Sequence, residues 1–171
     1  MRRIMSAVVD LIIMMGLCGV LVGCDYTVPL VNRPEIGIDS GVIGLWQGAQ
    51  GEGQREGLLV LPLNKQEYMV SFPASSTNAM FARACLCRTA RKNLVQLEWF
   101  GTAQAKLPED KRVFQFVTYS VTGDTLTLRL LNADLVKRDV KSSEELAKAI
   151  ANSEDNPNLF RGEMVFTKVK N

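Results

Sequence analysis

Residues 113–131 read VFQFVTYSVTGDTLTLRLL. Apolar side chains share one parity before the centre, at Val113, Val117, Tyr119 and Val121, and return at Leu126, Leu128 and Leu130 after it. A period of two is that of a strand with one face against a core. Between the arms stand Gly123 and Asp124, and a two-residue connection with glycine first suits a type II′ turn. The stretch therefore predicts a β-hairpin.

Working outward, the same pattern recurs. LLVLPL at 58–63, a polar Asn64-Lys65-Gln66 and EYMVSF at 67–72 predict a second hairpin, with Tyr68, Val70 and Phe72 on one face. Pro62 marks an edge position or an early end to the first arm, because it has no N–H for a ladder. NLVQLEWFG at 93–101 aligns Val95, Leu97 and Trp99, and MVFTKV at 164–169 predicts a last strand. The short apolar run 42–46 precedes a glycine-rich loop at 48–57, whereas 79–89 (AMFARACLCRT) suits either a strand or a short helix. Helix signals come only late. Asn132 is placed to cap a helix over 133–140, and Ser142 with Glu145 has capping-box spacing for another over 143–152, with Leu146, Ala149 and Ile150 on one side. The expected fold is mainly β: an antiparallel meander over 42–171 forming a small barrel or sandwich, with one or two short helices before the last strand.

Composition narrows the chemistry. The chain has 171 residues, 20 Lys plus Arg, 18 Asp plus Glu, and no histidine. Without imidazole there is no Ser-His-Asp or Cys-His nucleophile pair and no histidine-ligated metal. Near-neutral charge gives no electrostatic footprint for nucleic acid. The short cluster Arg88, Arg91, Lys92 reads as a solvated turn, or as a contact for a phosphate or headgroup.

The N-terminus reads as an address. Arg2 and Arg3 precede an apolar run at 11–23 that is interrupted upstream only by Asp10. Its 13 residues suit a secretory signal and fall short of the ~20 needed to cross a bilayer. Leu21-Val22-Gly23-Cys24 at its end resembles the lipobox of bacterial lipoproteins. That resemblance implies removal of 1–23 between Gly23 and Cys24, and diacylglyceryl and palmitate on Cys24. Residues 25–41 hold Pro29, Pro34, Gly37 and Gly41 among scattered apolar residues with no persistent period, which reads as an extended tether whose apolar residues can pack locally; with Cys24 it would be the lipidated tether 24–41. It also implies a cell-membrane location facing outside the cytoplasm; Asp25 resembles an inner-membrane retention signal, and inner and outer membrane stay open. The alternatives are an uncleaved anchor helix or a chance cysteine.

Gly44-Leu45-Trp46, the antiparallel strands and the late helical segment together resemble a lipocalin-like or related small β-barrel. The stretch 118–136 resembles one found in small uncharacterised bacterial lipoproteins. Such a barrel implies an interior lined by large side chains. Trp46, Tyr68, Trp99 and Phe116 are the candidate contacts for a small apolar ligand, and core packing is the competing role for them.

Other motifs point away from catalysis. Cys85 and Cys87, two apart in a strand, would hold their Cβ atoms about 7 Å from each other, whereas a disulfide needs about 3.8 Å. Buried thiols, a strained local bridge and redox or metal chemistry are the three readings. Gly51 and Gly53 begin a dinucleotide fingerprint that Glu56 breaks. Glu109-Asp110 and Glu144-Glu145 sit where a loop and a helix start place acids. The expectation is a non-enzymatic, membrane-anchored binding or accessory module with no metal or cofactor. Its partner is a small apolar ligand or, as the alternative, another envelope protein.

Overall fold

The computed structural model describes residues 25–48, 56–89, 92–106 and 112–170. Residues 1–24, which include the leader, Gly23 and Cys24, lie outside them, as do most of the glycine-rich loop, Arg91 and Glu109-Asp110.

Eight strands follow in chain order: β1 (Gly44–Gly48), β2 (Gly57–Pro62), β3 (Glu67–Ala74), β4 (Met80–Arg88), β5 (Asn93–Thr102), β6 (Phe114–Thr122), β7 (Thr125–Leu131) and β8 (Phe160–Lys168). Each pairs antiparallel with the next, and β8 returns to β1 through Trp46↔Lys168 and Gly48↔Phe166, which closes the barrel. Pro62 ends β2, so its missing N–H costs the ladder nothing further on.

Alternation sets the interior. Tyr68, Val70, Phe72, Leu97, Trp99, Val117, Leu126 and their neighbours pack there as one cluster. Register matches large side chains to small ones: Ala84 lies between Tyr68 and Leu97, and Ala82 between Val70 and Trp99. The ambiguous segment 79–89 is a strand for this reason. Its even positions supply the small side chains that let a narrow barrel close around Trp99 and Tyr68.

The hairpin at the centre of the opening stretch is as the sequence predicts. Thr122 pairs with Thr125, and Gly123 has φ +57° while Asp124 keeps a negative φ, the type II′ combination.

A second apolar layer lies outside the barrel. The outward-facing Cys87, Leu94 and Phe116 are covered by the one α-helix among the described residues, α1 (Ser143–Asn152), and by residues 26–31. Leu146 and Ile150 of α1 are fully buried. Ser142 caps it by accepting the Glu145 N–H at 3.1 Å, and the Glu145 carboxylate reaches back to the Lys141 N–H at 2.7 Å. No described helix is long and apolar enough to cross a membrane.

One expectation needs correction. The helix expected over 133–140 is a sequence of turns. Asn132 does start one, its Oδ1 accepting the Asp134 N–H at 3.1 Å and its carbonyl accepting from Val136 at 2.9 Å. The Val136 carbonyl, however, takes the Tyr26 hydroxyl at 2.7 Å, and the helix does not propagate. The described part of the tether over 24–41 is extended but lies against the fold. Tyr26 forms a β-bridge with Phe114 and is fully buried, and Leu30 and Val31 donate to the Gln96 Oε1 at 2.7 and 3.0 Å. Its scattered apolar residues follow no period: Tyr26, Leu30 and Val31 pack in an outer layer, whereas Ile38 packs against the interior cluster.

Candidate functional site

Inside the barrel is a cavity of about 100 Å³, with Val70, Ala84, Leu97, Val117, Leu128 and Phe166 among the side chains that line it. Each comes from the inward parity of a different strand, so closing the meander gathers them without any one element being specialised.

One end of the cavity is floored by Val42, in the 3-10 turn Ser40–Val42 that enters beneath the strands. Asp39 caps that turn by accepting the Gly41 N–H at 2.8 Å. Its other carboxylate oxygen accepts the Tyr119 hydroxyl at 2.9 Å, and its backbone N–H donates to the Tyr68 hydroxyl oxygen. Both phenols are thereby engaged at the floor while their rings line the wall. Burial pushes both hydroxyls to a higher pKa, and for Tyr119 the hydrogen bond to Asp39 adds to the effect.

The remaining polar group of the wall is also occupied. Gln115 accepts the Trp99 indole N–H at 3.2 Å. Among the described residues no buried side-chain nitrogen or oxygen lacks a partner. The cavity therefore offers hydrocarbon and aromatic surface, with no polar group waiting for a ligand.

Of the four candidate ligand contacts, Tyr68 and Trp99 line the cavity. Trp46 lies in the same interior cluster, beside the cavity rather than on its wall. Its indole donates to Val42 O at 2.8 Å, and the Lys168 ammonium sits 5.1 Å from the ring centroid. Gly44 of the same motif has φ +136°, a conformation that side chains rarely adopt. Phe116 does not line the cavity. It has the opposite parity to Val117 and Tyr119 and packs edge-on against Tyr26 in the outer layer, 5.3 Å between centroids. Asp39 and Gln115 were not legible as site residues: one lies in a stretch without periodicity, and the other is polar at an inward position.

The thiols are free, buried and outward-facing. Burial pushes Cys85 up to about 11 and Cys87 to about 12, so both stay protonated at neutral pH and are poor nucleophiles. Beside Cys85 a polar cleft of about 240 Å³ runs between residues 29–34 and the outer face of β3–β5, holding Glu67, Arg83 and Glu98. Glu67 and Arg83 pair across it at 2.6 Å. Among the described residues, no group of three or more cysteines and carboxylates is disposed to hold a metal ion.

No known family model, curated protein or solved structure matches the chain.

Proposed function

We propose that the protein is a membrane-anchored bacterial lipoprotein, attached through Cys24, whose non-catalytic barrel holds a small apolar ligand in the cell envelope. The observation that carries the ligand reading is the apolar cavity among side chains whose polar groups are already paired. A cavity of about 150 Å³ with such walls stays dry and takes benzene or xenon. At about 100 Å³ this one suits a ligand of a few heavy atoms, or the end of a narrow hydrocarbon chain. The basic, apolar leader and the Leu21-Val22-Gly23-Cys24 sequence support the anchor.

The test is a thermal melt of the purified protein in saturating benzene or a short alkane. Binding to the folded state alone raises Tm in a saturable way. Val117→Ile, which extends one methyl group into the cavity from its wall, is expected to raise Tm without ligand and to weaken the ligand-induced rise. A melt that no hydrocarbon shifts, with wild-type and variant alike, rejects the ligand reading. Labelled palmitate incorporation that Cys24→Ala leaves unchanged rejects the anchor.

A second reading, an assembly partner of another envelope protein, is favoured by one feature. Leu45, Leu61, Leu63, Val165 and Val169 are exposed large apolar side chains of β1, β2 and β8 and the residues that follow them. Cross-linking that recovers a single envelope protein from this face, and loses it with Leu61→Lys, would select that reading.

A further inference from the structure

Among the described residues, all but one of the side chains that line the cavity stand on strands, and every strand is hydrogen-bonded to a neighbour on both sides. A passage through that wall would have to part a ladder and break several backbone bonds at once. Val42 is the exception. It belongs to the 3-10 turn Ser40–Val42, outside the sheet, and is buried. Ser40, two residues earlier, is exposed, so the turn is one chain thick between cavity and solvent.

This part of the chain is fastened mostly by side chains. Val42 and Ile43 donate within it, to the carbonyls of Asp39 at 3.4 Å and Ser40 at 3.3 Å. Ahead of β1, one backbone bond from residues 38–43 reaches the barrel, from the Ile38 N–H to the Lys65 carbonyl at 3.1 Å. The Trp46 indole holds the Val42 carbonyl at 2.8 Å. The remaining ties meet at Asp39: its N–H donates to the Tyr68 hydroxyl oxygen, and its carboxylate accepts the Tyr119 hydroxyl at 2.9 Å. Apolar contact adds Val42 and the partly buried Ile38 and Ile43. Glycines bracket the segment. Gly37 is exposed, and Gly44 has φ +136°, so either end can absorb a rotation. An open groove between Gly37-Ile38 and residues 62–65 leaves the chain room to move.

We propose that residues 38–43 are a lid, that a ligand enters and leaves the cavity as this lid swings outward, and that Asp39 is its latch. Such a lid rests on the ligand reading and adds to it a route and a control of rate. Opening exchanges the bonds at Asp39 for bonds to water, whereas every ladder of the barrel stays paired. Bonds made only in the closed state set how rarely the open one is populated. A latch of this kind changes the rates of entry and exit together.

The test follows benzene exchange in the purified protein by methyl NMR, with amide hydrogen exchange at Val42 and Ile43 as a separate gauge of opening. Asp39→Ser keeps an oxygen that can accept the Gly41 N–H at the cap, but it has one oxygen where the carboxylate has two, and the Tyr119 bond is lost. On- and off-rates for benzene should both rise several-fold while Kd changes by less, and exchange at the two amides should rise with them. Tyr119→Phe removes the same bond from the other side and should also speed both. Faster amide exchange with unaltered benzene rates means that the ligand passes elsewhere; it overturns the lid and leaves the ligand reading intact. Unaltered amide exchange in both variants overturns the latch. A change confined to Kd means that Asp39 only shapes the closed cavity, and it overturns the lid as well. If the wild-type protein binds no benzene or short alkane, the ligand reading fails and the lid with it.

Discussion

Gln96 shows how one side chain can hold a segment that has no secondary structure of its own. It sits at an outward position of β5, where the alternation of Val95, Leu97 and Trp99 leaves a polar residue to be expected at the surface. It is buried instead, and its amide behaves as a short piece of strand. Oε1 accepts from Leu30 and Val31, and Nε2 donates to the Val31 carbonyl at 3.0 Å. Removing the amide strands three backbone groups under a covered surface, and a buried unsatisfied group costs about 1–3 kcal/mol. Gln96→Leu is therefore expected to destabilise by about 2–4 kcal/mol in urea unfolding, and to increase hydrogen exchange at Leu30 and Val31 first. A variant as stable as wild type would mean that Tyr26 alone holds the segment. None of this was legible in advance, because a glutamine alternating with apolar residues reads as solvent-facing. The signal was present only as an excess of apolar residues in 25–41 with no period to place them.

Among the elements, the strands were legible wherever one face is buried and the other wet, as in β7. They became harder to read where both faces are covered. β6 is the clearest case: Phe114 and Phe116 belong to the outer layer while Val117, Tyr119 and Val121 belong to the interior, so apolar residues occupy both parities. Phe116 could be assigned to the wrong side for that reason, and Gln115 missed on the right one. Helix α1 was legible because Ser142 and Glu145 form its cap locally; the turns at 133–140 were not, because they are tied to the fold by a tertiary bond from Tyr26 to the Val136 carbonyl that local sequence does not show. The β6–β7 hairpin is the most locally determined element. A Cβ at Gly123 would meet nothing within 4 Å, so substitution there costs only the backbone strain of φ +57°. Gly123→Ala should cost about 1–2 kcal/mol in chemical denaturation without altering the cavity or its ligand response. A cost near zero would show that the turn has relaxed to another type.

For the whole molecule, the absence of histidine becomes a statement about stability. No side chain has an ordinary titration near neutrality, so unfolding free energy is expected to be flat between about pH 6 and 8. Apart from the Asp25 carboxyl, which burial raises on the acid side, the perturbed groups lie on the alkaline side. Burial raises Cys85 to about 11 and Cys87 to about 12, and it raises the Tyr26, Tyr68 and Tyr119 hydroxyls as well. For each of these the folded state holds its proton to higher pH than the unfolded chain. Their stabilising contribution is thus complete below the unfolded value, near 9 for the thiols and 10 for the phenols, and is lost as pH rises through the folded one. Urea midpoints should be level from pH 6 to 8, begin to fall above about 9, and collapse by about 12. The groups are divided between two layers: Tyr68 and Tyr119 report on the barrel floor, Tyr26 and Cys87 on the segment and helix that cover β4–β6. Cys87→Ala should therefore remove part of the decline that begins near pH 9, while Tyr119→Phe should affect only the part above 10. A midpoint that does not change to pH 11 would mean that both layers open locally and let these groups ionise without unfolding the barrel.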